Sequence, residues 1–283
     1  MKKNNLLFFI GLVLLLQTVC LQAKPIAFVS ILPQKFLVQS LAKDLLDVKV
    51  LVKPGQSPET FDPKPRQMAE LSKATLYFTL GLSFERVIIK RIVANNKQLQ
   101  VIDTQQGIEQ FSHYNDPHTW LDPVLVKRQV ETIYLALKKQ FPDSSELLKQ
   151  RHKDFQKQLD ELNISLVKLF LYKGTTPKIN TSNKNNFVIF HPALSHFARR
   201  YQLNQIAIEK EGKSSSAKYM ANLMSRLKNQ SVKYILVEKQ FSKKEAQTVA
   251  RSIQANLLEI DPLAQSWLEN MYNIAEQVHK ALF

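Results

Sequence analysis

Eight short apolar runs, most followed by residues at helical spacing, leave this chain few folds to adopt. Four lie in the first half, at Ile26–Ile31, Val48–Val52, Leu76–Leu80 and Leu99–Ile102. Four lie in the second, at Phe187–Phe190, Gln205–Ile208, Tyr234–Val237 and Leu257–Ile260. The first run is apolar throughout rather than alternating, as expected of a strand covered on both faces. Between the runs, Phe36, Leu37, Leu41, Leu45 and Leu46 recur at helical spacing, and Arg66–Lys73, Glu85–Ala94, Ala217–Leu227 and Lys243–Ala255 read as helices. Strand–helix alternation of this kind predicts an α/β fold of parallel sheets flanked by helices. In such sheets ligands sit beyond the carboxyl ends of the strands.

The two alternating runs are separated by two long helical patterns. Val126, Val130, Ile133, Leu137 and Phe141 make one apolar face, which Pro142 ends. Leu148, Phe155, Leu159, Leu162, Leu166 and Leu169 carry a second stripe to about Tyr172. At ~1.5 Å per residue this second helix runs on the order of 40 Å. A rigid spine between two lobes fits that length better than a coiled-coil oligomer. The expected division is therefore 24–122 as an N-terminal α/β lobe, 123–172 as connecting helices and 173–283 as a C-terminal α/β lobe. Lys173–Asn186 reads as a loop.

Residues 1–23 form a separate segment. Lys2 and Lys3 precede the apolar run Leu6–Leu16, and Ala23 offers a small residue at a cleavage point. The expectation is a secretory signal peptide cleaved near Ala23, and hence a periplasmic protein. The single cysteine, Cys20, lies inside this segment, and Gln17-Thr18-Val19 before it argues against a lipoprotein anchor. The mature chain then has no thiolate, so a metal site must be built from nitrogen and oxygen. The formal charge is +15. The basic residues are spread along helical patterns with no nucleic-acid motif beside them, so nucleic acid is not an expected partner.

Polar residues at strand ends and in stiff loops are the candidates for function. In Asp116-Pro117-His118-Thr119-Trp120-Leu121-Asp122-Pro123, Pro117 restricts the residue before it, and Asp122-Pro123 reads as a helix N-cap followed by proline at the first helical position. His118 is thus held in a rigid loop between the halves. Taken alone, that position does not distinguish a metal ligand from an ordinary loop histidine. Glu59 sits in the proline-rich loop after the second strand, His191 at the end of the fifth and Asp261 at the end of the eighth. Two neutral imidazoles and two carboxylates balance a divalent ion and suit Zn²⁺, Mn²⁺ or Fe²⁺. Ser83 and Glu85 are expected to cap the helix they open. His196 is expected in a core or surface role, His113 in a loop, and His152 and His279 on solvated helix faces.

These stretches run in an order that resembles a known family. Pro54-Gly55-Gln56-Ser57-Pro58-Glu59-Thr60-Phe61-Asp62-Pro63, Gly81-Leu82-Ser83-Phe84-Glu85, Asp116-Pro117-His118-Thr119-Trp120-Leu121, His191-Pro192-Ala193-Leu194-Ser195-His196, Glu238-Lys239-Gln240-Phe241-Ser242 and Asp261-Pro262-Leu263-Ala264 are similar to motifs of the metal-binding receptors that serve bacterial ABC importers of zinc and manganese, nearest the zinc-uptake branch. The resemblance implies two Rossmann-like lobes joined by a long helix, with a metal cleft between them and His118, His191 and Asp261 as ligands. It also implies an ABC importer permease as partner, a monomer, and no enzymatic activity. One departure stands out. Where the family usually has Ser-Pro-His, this chain has Glu59 after Pro58, which hardens the ligand set and leaves manganese or iron beside zinc. Ser195 replaces a usual glycine, and His196 takes an aromatic position. Two rivals from other classes are an envelope metallohydrolase and a surface adhesin or scaffold; no HExxH helix or nucleophile elbow supports the first.

Overall fold

The computed structural model describes residues 23–109, 116–171, 185–209 and 217–282. The expectations for the leader, Cys20 and His113, and for most of the loop 173–186, lie outside the described residues.

The N-terminal half builds a four-stranded parallel sheet from β1 (Ile26–Val29), β2 (Asp47–Val50), β3 (Leu76–Thr79) and β4 (Gln100–Asp103), in the order β2-β1-β3-β4. Helices α1 (Leu32–Ala42), α2 (Pro65–Leu71) and α3 (Ser83–Asn95) connect them. The C-terminal half repeats the topology with β5 (Asn186–Ile189), β6 (Asn204–Ala207), β7 (Tyr234–Glu238) and β8 (Asn256–Ile260), ordered β6-β5-β7-β8 and again parallel. All eight expected strands are present, shifted by two residues or fewer at each end.

Between the sheets run α4 (Pro123–Gln140) and α5 (Ser145–Phe170), the expected spine. Asp122 caps α4 as its sequence suggests, accepting hydrogen bonds from Val124 N at 2.9 Å and Leu125 N at 3.4 Å. The stripe Leu148, Phe155, Leu159, Leu162 and Leu166 is buried against α4, α1 and the terminal helix α9 (Trp267–Leu282), so within one chain the apolar face of α5 is already used. Arg151 reaches across to donate to the carbonyls of Leu41 and Ala42, at the end of α1 where the helix dipole favours a cation.

The pleat decides which core each strand residue joins. Phe187 and Ile189 on β5 enter a core that includes the spine and the N-terminal half, whereas Val188 and Phe190 enter a second core. That second core lies under α7 (Ala217–Asn229) and α8 (Lys243–Ile253), with Leu223, Leu227, Ala246 and Ala250 facing the sheet. Because one core runs through both halves, the two sheets are held in fixed relation. Two indoles reinforce that relation: Trp120 Nε1 donates to Pro262 O at 2.9 Å, and Trp267 Nε1 donates to Trp120 O at 2.8 Å. The Arg200 guanidinium, at the end of the short helix α6 (Ser195–Arg200), pairs with Asp122 at 3.0–3.1 Å.

Two smaller expectations change. Glu85 does cap α3 through Leu82 N, but it is buried and also bonds Leu80 N and Ser30 Oγ. Burial pushes its carboxyl up to about 7 against those bonds. His152 is not simply solvated: its ring stacks on Tyr134 with centroids 4.5 Å apart, and Nε2 lies 2.9 Å from Glu131.

Candidate metal centre

The carboxyl ends of the two sheets face each other, and the polar residues found at strand ends meet there. Glu59 comes from the loop after β2. His118 opens a 3-10 turn, His118–Leu121, that leads into α4. His191 follows β5, Glu209 follows β6 and Glu238 ends β7. Among the described residues, Glu59, His118 and His191 are the one group of three that could hold a metal ion.

Their geometry is that of a coordination face. The two Nε2 atoms of His118 and His191 lie 3.4 Å apart, and Glu59 Oε1 lies 3.7 Å from the first and 3.4 Å from the second. A point equidistant from all three atoms is about 2.0 Å from each, the length of a zinc bond to imidazole or carboxylate. An ion placed slightly out of that plane keeps such bonds and gains room for a fourth ligand.

Each imidazole is oriented from behind. His118 Nδ1 donates to Asp116 Oδ1 at 2.6 Å, and His191 Nδ1 donates to Glu209 Oε2 at 3.1 Å. Both contacts fix the proton on Nδ1 and leave the Nε2 lone pair facing the shared point. Aromatic rings hold the planes: Phe241 stacks on His191 at 4.6 Å, and Trp120 lies 5.1 Å from His118. Ser57 Oγ donates to Glu59 Oε2, which leaves Oε1 for the histidines. Asp116 is itself held by His196, whose Nε2 donates to the Asp116 carbonyl at 3.1 Å. His196, expected in a core or surface role, is buried, and its bond to Asp116 is a contact the sequence reading did not anticipate.

The charges are tightly coupled. Burial alone raises the Glu59 carboxyl, but hydrogen bonds and charge from His118 and His191 hold it far below the usual carboxylate range. For His191 burial opposes the charged form, yet Glu209 and Glu59 lift its pKa to about 10. His118 is also raised, by Asp116 and Glu59 against the effect of burial. Asp116 falls to about 2 because its bond to His118 outweighs its own burial. Without a metal, then, the site stores protons on imidazoles between carboxylates, and a divalent cation is the natural replacement for that positive charge.

Asp261 is placed differently. It stands at the end of β8, but its Oδ1 accepts from Gln240 Nε2 at 2.8 Å and from Leu263 N at 3.1 Å, and Oδ2 lies 3.6 Å from Lys239 Nζ. Its carboxylate is outside the three-residue group. An Asx turn over Pro262 sets that direction. Asp116, Glu209 and Glu238 carry no ligand role in the sequence reading. The position of Glu209 and Glu238 at strand ends is the signal that could have drawn them in, as is the two-residue spacing of Asp116 from His118.

A sequence model of the family described as "Zinc-uptake complex component A periplasmic" matches residues 28–281. A protein from Chlamydia muridarum described as metal-binding is 26% identical over 253 residues, covering 87% of this chain and 88% of its own length. The "High-affinity zinc uptake system protein ZnuA" of Bacillus subtilis is 28% identical over 243 residues, covering 79% and 73%. A solved structure titled "Crystal structure of ZnuA" superposes with a TM-score of 0.84 at 34% identity, covering 92% of this chain and all of its own. With the family match spanning both lobes and Glu59, His118 and His191 grouped as candidate ligands, the chain belongs to the periplasmic zinc-uptake family of metal-binding receptors for ABC importers, a family of transport receptors rather than enzymes.

Proposed function

We propose that this chain captures Zn²⁺ outside the cytoplasm and delivers it to an ABC importer permease, with Glu59, His118 and His191 as direct ligands. The observation that carries the reading is the triangle of Nε2, Nε2 and Oε1 atoms, sized for bonds of about 2.0 Å. The zinc assignment draws on the family and on the named relative from Bacillus subtilis. The function is capture and release with no bond chemistry. The chain acts as a monomer, exported by a leader cleaved near Ala23. Because one core joins both lobes to the spine, wide hinge closure is not part of the cycle; the loop bearing Glu59 is the element that orders around the ion.

Asp261, the fourth residue suggested by the resemblance, enters the coordination sphere only by exchanging its bonds to Gln240 and Leu263. We therefore place it at the rim, where its charge favours a cation. A second reading rests on Glu59. A carboxylate in place of a third imidazole makes the site harder, which favours Mn²⁺ or Fe²⁺ relative to a three-histidine site.

Calorimetric titration of the metal-stripped protein with Zn²⁺ tests the ligand set. His118→Ala and His191→Ala should each weaken binding much more than His196→Ala; equal losses in all three would refute it. Elemental analysis of protein from its native cells decides between zinc and manganese.

A further inference from the structure

The C-terminal lobe carries a groove at the amino ends of β7 and β8, the edge of the sheet opposite the metal centre. The turns that close α7 and α8 are built alike. Val232 N donates to Leu227 O and Ser231 N to Lys228 O after α7; Ala255 N donates to Ala250 O and Gln254 N to Arg251 O after α8. Both are Schellman turns, with Ser231 (φ 51°) and Gln254 (φ 60°) in the left-handed position that ends the helix. Lys228 and Arg251, three residues before those corners, therefore occupy equivalent places. Because β7 pairs with β8 from Tyr234 and Asn256 onward, the two turns lie side by side and their residues line one groove. Lys233, just before β7, adds a third cation to it. Its volume is about 680 Å³, the size of a small-molecule site.

A cation in the last turn of a helix is favoured by the helix dipole, which accounts for Lys228 and Arg251 one at a time. It does not account for Lys233, nor for a lining that contains three cations and no carboxylate. Neither Lys228 nor Arg251 forms an ion pair among the described residues. Like charges around one groove repel, and an anion between them relieves that repulsion. We propose that this groove is a second binding site, for a phosphate ester. Lys228, Lys233 and Arg251 hold the phosphate, whose charge is spread over oxygens that several cations can share and that a guanidinium grips in pairs. Ser231, Gln254 and Asn256 supply hydrogen bonds to the esterified group, for which the volume leaves room beyond a bare ion. A soluble polyol phosphate and a phospholipid headgroup share this chemistry. Since the metal centre lies at the other ends of the strands, the two sites fill independently.

The test uses the full mature chain, with and without Zn²⁺. Calorimetric titration with glycerol phosphate reads the soluble source. Co-sedimentation with phosphatidylglycerol vesicles, against phosphatidylcholine vesicles, reads the headgroup. Wild-type protein should bind at least one of the two: glycerol phosphate alone assigns a soluble ester, and the anionic vesicles alone assign a lipid. Lys228→Gln and Arg251→Gln should each weaken that binding roughly fivefold, and the double variant about 25-fold. All three change exposed side chains and should fold as wild type does. Lys90→Gln with Arg91→Gln removes two exposed cations from α3 and lowers the net charge equally, yet should leave phosphate binding unchanged. No binding to either probe, or an equal loss in the α3 variant, overturns the proposal. Zn²⁺ affinity should be the same in the groove variants as in wild type, and a parallel fall in it overturns the claim of a separate site.

Discussion

Zinc affinity measured from pH 5.5 to 8.5 reports how many protons the ion displaces from His118 and His191. Metal and proton compete for the same Nε2 lone pair, so affinity rises with pH, by about tenfold per pH unit for each proton displaced. In the metal-free site His191 has a pKa near 10 and His118 is raised above its usual 6.5. Below pH 6.5 both imidazoles are charged, and the slope of log affinity against pH should approach about two. It should stay at one or above to pH 8.5, because His191 still holds its proton there. Glu59 and Asp116 remain ionised throughout and add nothing to the slope. Glu238, pushed up to about 7 by burial, titrates inside the window, and repeating the series in Glu238→Gln removes that contribution. Competition against a chromophoric chelator of known pH dependence is the assay. A slope that falls to zero by pH 8, as two imidazoles of ordinary pKa would give, refutes the coupling described here. The sign is opposite for the metal-free fold. The stability His191 contributes is fully present below about 6.5 and is lost as pH rises through about 10, so the thermal shift caused by zinc should widen with pH.

Replacing Glu59 with histidine should build a three-imidazole face and raise the preference for zinc over manganese by at least about tenfold. Competition between the two ions measures it, and an unchanged ratio counts against Glu59 as a ligand. Asp116→Asn should weaken zinc binding by about 10- to 100-fold with little change in fold, since the His118 ring loses its charged anchor. Asp122→Ala should destabilise the protein by about 2–3 kcal/mol in urea unfolding. That figure combines a lost helix cap with a broken ion pair, discounted because the Arg200 side chain is 33% exposed and water can reach it. A loss under about 0.5 kcal/mol would show that the pair does not hold the spine to the C-terminal lobe.

Local rules carried the architecture far. Each strand needed only a short apolar run, and each helix a spacing of three and four, so all eight strands and both spine helices stood where their periodicity put them. The cap at Asp122 was equally legible, because the residue and the amides it binds are neighbours in the chain. Glu59, His118 and His191 were legible as candidates for a related reason: Glu59 and His118 sit in loops stiffened by neighbouring prolines, and His191 follows the carboxyl end of a parallel strand, where ligands bind.

What the chain alone left open is which of those polar groups meet, and with which atoms. Glu59, His118 and His191 converge only because one core joins both sheets to the spine and sets their facing edges. Asp261 reads in sequence much like His191, yet its carboxylate turns to Gln240 and Leu263 N. Glu209 and Glu238 look like ordinary acidic residues until β6 and β7 bring one behind the His191 ring and the other against its backbone. Periodicity is a property of neighbours a few residues apart, and one sequence displays it. A coordination sphere is set to tenths of an ångström by side chains far apart in the chain, and only the packing of the two lobes against the spine fixes distances of that kind.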